Sequence, residues 1–413
     1  MKLLKNCKYI YDGKEVLENK DIIIKNNSIL KVRNSNNSKN KKKDKEYEKV
    51  IDCSNHAIFP SLFNAHTHSP MIFLRSYKDN LGFHNWLDEM FKVEENINKK
   101  LIYESTILGI YEMIKTGTSG FLDMYYNPKQ IKKACDEIGI YGVISTKKEL
   151  TKSKHVMPAR FLHAIYTESV ESLKKQAKIA KDKNQILNIH ISETRKELND
   201  CYEENGMYPV EYLNKLGILS EKTVGAHLSW VTKREIKILK ENKVHAVTCP
   251  TSNLKLATGG TLQYREFKDE GVPLSLGTDS VASNNTLNML SEAKVFSIIQ
   301  KNNYWDSKIA SSYESLNLAL SGWDIAKNYG IKAGKIKKDY LANLFGINLN
   351  KVEMIPTYKE NLVSNLIYTT PSIDFHYING KEVYNSKKQN KIEKRIIKSK
   401  KIIDHFVKNN MLN

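Results

Sequence analysis

The chain has 413 residues, 40% of them hydrophobic, 27% charged, and a formal net charge of +19. That length exceeds most single small domains and suits one barrel of roughly 250 to 300 residues plus a smaller unit. The charge invites a nucleic-acid reading, but 58 of the 65 basic residues are Lys and only 7 are Arg, the side chain best suited to forked phosphate and base contacts; nucleic-acid binding is therefore not expected.

Residues 1–55 read as short strands. Lys8-Tyr-Ile-Tyr runs into Asp12-Gly13, a hairpin signal, and Asp21-Ile-Ile-Ile-Lys reaches Asn26-Asn27-Ser28 before Ile29-Leu-Lys-Val. Ser35 to Lys49 is a low-complexity polar run, expected to be a mobile, solvated loop. No apolar leader opens the chain and no run approaches the roughly 18 residues of a membrane span, so a cytoplasmic protein without membrane contact is expected. The cysteines, Cys7, Cys53, Cys135, Cys201 and Cys249, are scattered and odd in number, which argues for reduced thiols and against a cysteine metal site.

From about residue 57 apolar runs alternate with amphipathic helical stretches. Strand candidates start near 58, 119, 140, 160, 186, 223, 244 and 272; helices are predicted at Leu101–Lys115, Lys129–Glu137, Val170–Lys181 and Lys233–Glu241. Eight strand-plus-helix units imply an α/β fold, a TIM-type (β/α)8 barrel over 56–333. Only 146–160 lacks a clear helix. Short strands return at Tyr340–Phe345, Leu362–Tyr368 and Phe375–Val383, the last containing the hairpin signal Asn379-Gly380. The two ends resemble each other, so 1–55 and 334–385 are expected to join in one small β-sandwich domain. The tail 386–413 carries Ile392, Ile396, Ile403 and Phe406 as one helical stripe between lysines, which predicts a docked helix.

The chemistry lies at strand ends. His66 and His68 close the run Ala57-Ile-Phe-Pro-Ser-Leu-Phe-Asn-Ala-His-Thr-His, and residues i and i+2 of a strand share a face, so both imidazoles can reach one cation. With 11 histidines, chance alone gives a His-x-His about 0.3 times, so the pair matters through its company. Ile186-Leu-Asn-Ile-His-Ile-Ser-Glu places His190 and Glu193, Thr223-Val-Gly-Ala-His places His227, and Val272-Pro-Leu-Ser-Leu-Gly-Thr-Asp places Asp279. Alone, Asp279 would read as a helix cap, His227 as a core histidine and Glu193 as a loop acid. Together they mark the C-terminal face of a barrel. His66, His68, His190 and Asp279 suit one divalent metal, Zn2+ first and Fe2+ second, with an open position for water. Asp279 can take the water proton, Glu193 can donate one to a substrate ring nitrogen, and His227 can orient the nucleophile.

These stretches, with Asn64-Ala-His-Thr-His-Ser-Pro-Met, Cys249-Pro-Thr-Ser-Asn-Leu-Lys-Leu-Ala-Thr-Gly and Gly277-Thr-Asp-Ser-Val-Ala-Ser-Asn-Asn, resemble the amidohydrolase superfamily. Within it the chain looks like the 5-methylthioadenosine/S-adenosylhomocysteine deaminases, a group that includes 5'-deoxyadenosine deaminases. The resemblance implies hydrolytic deamination of an adenosine-type nucleoside, a small-molecule partner, and a homo-oligomer. It also implies that Trp86 and, nine residues on, Glu95 hold the ribose, the carboxylate accepting from both hydroxyls, that His163 meets the substrate although Ile165 replaces the family's proline, and that Ser283 lines the pocket. The family's two arginines for an amino-acid tail have no clear match, since the first region reads Ser145-Thr-Lys-Lys and only Arg160 lies near the second. A small 5'-substituent is then expected. Lys147 also raises a carbamylated lysine bridging two metals, which the mononuclear motif set disfavours. Guanine deaminase and triazine chlorohydrolase are the alternatives in the same superfamily, and a silent basic nucleic-acid-binding barrel is a distant one.

Overall fold

The computed structural model describes residues 1–35, 46–388 and 390–412, so most of the Ser35–Lys49 run lies outside the described residues. Two eight-stranded sheets organise the chain. The first draws on both termini: β1 (Lys2–Tyr11), β2 (Val16–Lys25), β3 (Ser28–Asn34), β4 (Lys49–Asp52) and β5 (His56–Pro60) come from the N-terminal part. The second holds β6 (Leu62–Thr67), β7 (Thr118–Met124), β8 (Tyr141–Thr146), β9 (Val156–Phe161), β10 (Leu187–Ile191), β11 (Thr223–His227), β12 (His245–Thr248) and β13 (Leu274–Leu276). The first sheet is completed by β14 (Leu344–Asn348), β15 (Phe375–Ile378) and β16 (Lys381–Asn385), in the order β16-β15-β14-β5-β1-β2-β3, with β4 beside β1. Its pairs are antiparallel except β1 with β4 and with β5.

The second sheet is a parallel barrel. Helices cover its outside, so its strands are buried on both faces and read as continuous apolar runs. Its first and last strands meet through a parallel bridge between Thr67 and Asp279. The Asp279 amide donates to the His66 carbonyl at 2.9 Å. Asn64 pins the same seam: its Oδ1 accepts from the Thr278 amide at 3.0 Å and its Nδ2 donates to the Thr278 hydroxyl at 2.7 Å. Gly277 permits this closeness, because a Cβ there would lie 2.7 Å from the His66 backbone nitrogen.

Three expectations need correction. The run from Ala57 to His68 is two strands, not one. Ser61 separates them; its amide bonds to the Asn343 carbonyl and its hydroxyl to His376 Nε2 at 2.7 Å. His56–Pro60 therefore belongs to the terminal sheet, and the barrel begins at Leu62 rather than near 58. Leu362–Tyr368 is not a strand but the helix Leu362–Thr369, burying Leu362, Val363, Leu366 and Ile367, a helical spacing read as a short apolar run. The strand expected at Tyr340–Phe345 lies at Leu344–Asn348.

The last helix, Asn390–Asn410, packs on the helix Lys99–Lys115. Phe406 and Ile403 are buried, with the Phe406 ring 5.4 Å from that of Phe73. Arg395 bonds to the buried Glu104 carboxylate, which also accepts from the Ser399 hydroxyl at 2.7 Å. The five cysteines are free and buried. Among the described residues no helix is long and apolar enough to cross a membrane.

Candidate active site

The C-terminal ends of the barrel strands bring the expected residues together. His66 lies in β6 with His68 just beyond it, His190 lies in β10, His227 ends β11, and Glu193 and Asp279 follow β10 and β13. His66 Nε2 lies 3.1 Å from His190 Nε2. Asp279 Oδ1 stands 3.1 Å from His68 Nε2 and 3.8 Å from His66 Nε2. Donor atoms of His66, His68 and His190 lie within 4.8 Å of one another, as do those of Glu193, His227 and Asp279. Several functional residues have left-handed backbone, with φ of 60° at Asp279, 75° at His227 and 53° at Ser192. Such conformations need support from their surroundings, which the seam provides for Asp279.

The donor set fits a divalent cation. His68 Nδ1 donates to the Met124 carbonyl, which turns its Nε2 toward Asp279 and the other imidazoles, within reach of a shared cation. Burial pushes His66 and His190 well below the ordinary imidazole range, with neighbouring imidazoles adding to it, so both are neutral. Burial would raise the Asp279 carboxyl, but the His68 bond and charge outweigh it and hold the group well below the usual carboxylate range. Two hydroxyls occupy its Oδ2, from Ser252 at 2.6 Å and Ser283 at 3.0 Å, leaving Oδ1 toward the histidines. Three imidazoles and one carboxylate match the preferences of zinc or ferrous iron.

Glu193 stands beside His227. It is 7% exposed, and its Oε2 lies 3.7 Å from His227 Nε2. Burial, then the charges of Asp279 and Glu197, push its carboxyl well above the ordinary range. Glu197, missed in the sequence, lies behind it: its carboxylate accepts from the backbone amides of Ser192 and Glu193, both at 2.9 Å. Burial lowers the His227 imidazole, which stays neutral.

A cavity of about 710 Å³ opens over these groups. The helix Phe83–Glu94 forms one wall through Phe83, Trp86, Leu87, Met90, Phe91 and Glu94, one face at helical spacing. Trp86 lines the cavity as expected, and its buried Nε1 has no protein partner. Glu95 does not line it. It is exposed, one residue past the cavity face and turned about 100° away. The carboxylate presented to the cavity is Glu94, whose Oε1 accepts from the Tyr125 hydroxyl at 2.5 Å. Burial raises Glu94 to about 7, against the opposing Tyr125 bond. The cue was available: Glu94, not Glu95, keeps the i, i+4, i+8 step from Trp86 through Met90.

His163 lines the cavity, with Nδ1 3.0 Å from the Thr167 hydroxyl, and burial, then the charge of His68, lower it to about 4. Ser283 is buried beneath Asp279 and is absent from the lining. Arg160 is absent too. Its guanidinium is spent on Gln176 Oε1, at 3.0 and 2.7 Å, and on the carbonyls of Lys147 and Lys148. Lys147 lines the cavity but pairs with Glu168 at 2.6 Å, over the Phe161 ring at 5.5 Å. Ser252 and Asn253, read only as part of a matching stretch, and Tyr125 had no role from sequence, because only tertiary contact gives such residues one.

Comparison with known proteins gives the family. The model of the amidohydrolase family matches residues 57–394. A 5-methylthioadenosine/S-adenosylhomocysteine deaminase of Pyrococcus furiosus is 33% identical over 98% of this chain and 99% of its own length. A 5'-deoxyadenosine deaminase of Methanocaldococcus jannaschii is 36% identical over 84% of this chain and 86% of its own. Among solved structures, an adenosine deaminase from Xanthomonas campestris with bound zinc superposes with a TM-score of 0.86 at 24% identity, covering 98% of both chains. The chain belongs to the amidohydrolase family, among relatives named as 5-methylthioadenosine/S-adenosylhomocysteine and 5'-deoxyadenosine deaminases.

Proposed function

We propose that the chain is a hydrolytic deaminase of adenosine-type nucleosides that converts a 5'-substituted adenosine and water to the inosine analogue and ammonia. The observation that carries this reading is a buried acid, Glu193, beside the donor atoms of His66, His68, His190 and Asp279, with a second, half-buried carboxyl, Glu94, on the aromatic wall of the same cavity. His66, His68, His190 and Asp279 would hold the ion, Zn2+ first and Fe2+ second. A divalent ion there supplies Lewis acidity that makes an attacking water acidic near neutral pH.

The side chains divide the remaining work. Asp279 accepts one proton from the water whose oxygen adds to C6 of the purine, while Glu193 gives its proton to N1. The Asp279 proton then passes to the exocyclic amine, the C6–N bond breaks and ammonia leaves. The hydroxyl proton returns to Glu193 as the C6 carbonyl forms. His227 donates from Nε2 to the attacking oxygen. Trp86 and His163 offer polar atoms to the nucleoside, and Glu94 accepts from the ribose hydroxyls. Among the described residues no arginine lines the cavity, although Lys99, Lys129, Lys147 and Lys148 do, and the exposed rings of Tyr126, Tyr166 and Phe91 line it too. This supports small, apolar 5'-groups.

An ammonia-release screen tests the reading. 5'-Deoxyadenosine and methylthioadenosine are expected to turn over at least as well as S-adenosylhomocysteine, with guanine and chlorotriazines slow. Preferred turnover of guanine or a triazine would refute it. A strong preference for S-adenosylhomocysteine would refute only the assignment of the 5'-end.

A further inference from the structure

The stretch Cys249-Pro-Thr-Ser-Asn-Leu-Lys begins where β12 ends and forms the short helix Pro250–Lys255. Its neighbours Ser252 and Asn253 face two different catalytic groups. Ser252 donates to Asp279 Oδ2 at 2.6 Å, while Asn253 Nδ2 lies 3.2 Å from His227 Nδ1. We propose that Asn253 is the positioning residue that sets the tautomer of His227, holding its proton on Nε2 where it faces the reacting atoms. This rests on His227 acting at the metal site as described above.

The chemistry follows from what an amide can do. An NH2 group only donates, so the ring nitrogen it meets must offer a lone pair. Thr258 Oγ1 donates to the Asn253 backbone carbonyl at 3.4 Å, which leaves a hydroxyl lone pair toward Asn253 Nδ2, also at 3.4 Å, while Asn253 Oδ1 has no protein partner. Asn253 is 2% exposed, so no water competes for the contact. A neutral imidazole with a lone pair on Nδ1 carries its proton on Nε2. That nitrogen faces two side-chain acids: Glu193 Oε2 is 3.7 Å away, and the Asp279 donor atom lies within 4.8 Å of both. A proton there is attracted by the Asp279 carboxylate and can stabilise negative charge on an oxygen added to the substrate. The other tautomer would aim a lone pair at the same charge. Asn253 thus reaches the substrate only through His227. Since Ser252 and Asn253 are adjacent, one helical turn aligns the metal carboxylate and the orienting histidine together.

The test reads the tautomer directly. The zinc-loaded chain, labelled with 15N-histidine, is examined by long-range 1H–15N correlation, and His227 is assigned from the signals lost in His227→Gln. The expected result is a neutral ring protonated at Nε2; a proton on Nδ1, or on both nitrogens, overturns the proposal. This measurement needs neither substrate nor turnover, so it stands even if the deaminase reading fails. In Asn253→Asp the carboxylate accepts instead of donating. The proton should then appear on Nδ1, with kcat falling about 100-fold or more, KM within about 3-fold and metal content unchanged. Unchanged tautomer and kcat in that variant would overturn the proposal. Asn253→Ala gives a double-mutant cycle with His227→Gln. The loss from Asn253→Ala should vanish in the His227→Gln background, whereas full additivity would show that Asn253 does not act through the histidine.

Discussion

Replacing Glu94 and Glu95 in turn separates two carboxylates that sequence spacing confused. Glu94 lines the cavity and Glu95 faces solvent. An ionised carboxylate offers about four acceptor positions; Tyr125 takes one on Oε1, which leaves enough for both ribose hydroxyls. Each hydroxyl-to-carboxylate bond is worth about 1.5 to 3 kcal/mol, and water entering the space left by truncation recovers part of this. A net loss of about 3 kcal/mol follows for Glu94→Ala, roughly 100-fold in kcat/KM on adenosine or methylthioadenosine. Glu95→Ala should stay within about 2-fold, and slow turnover of free adenine should be unaffected by either change. The assay is initial-rate ammonia release over a range of substrate concentrations. The Glu94 carboxyl, raised to about 7 by burial, is protonated below that pH and ionised above it. Nucleoside KM should therefore fall as pH rises through about 7, and that dependence should disappear in Glu94→Gln. Equal losses on adenosine and adenine, or a large loss in Glu95→Ala alone, would refute the reasoning.

Glu193→Gln should retain the metal yet lose roughly 100-fold or more in kcat, because an amide cannot deliver the proton; near-normal turnover would assign that step elsewhere. His66→Ala and His190→Ala should each lower metal content, measured by elemental analysis, and abolish turnover; full occupancy in both would contradict the ligand set. Arg395→Met leaves the Glu104 carboxylate, at 3% exposure, without its cation. It should cost about 3 kcal/mol in urea denaturation, and adding Glu104→Leu should recover most of it, since a buried pair destabilises chiefly when broken on one side.

The barrel and the clustering of its candidate metal donors were legible because each depends on local pattern. Strands buried on both faces give continuous apolar runs, and a titratable residue at the end of each run marks the open face. The single run across Ser61 was harder. Only the partners of Ser61, Asn343 and His376, show that the chain changes sheets there. Glu94 was displaced by its neighbour because a fixed spacing was carried over instead of the helical face being followed. Arg160 could not be placed from sequence at all: its contacts with Gln176 and the carbonyls after β8 are tertiary, and they turn a candidate anion-binding group into a brace.

The seam between β6 and β13 has a consequence for how the protein gains its activity. Thr67 and Asp279, which bridge there, are 212 positions apart, and the candidate ligands sit on either side of that junction. No early fragment of the chain can assemble the site, since its first and last ligands meet only when the ring shuts. A cation held across the junction then acts as a clasp, binding the closed ring in preference to any opened form. Stability and metal concentration become linked quantities, with each tenfold of free ion above its dissociation constant adding about 1.4 kcal/mol against unfolding. Loss of the ion would be felt first where the ring was last to close.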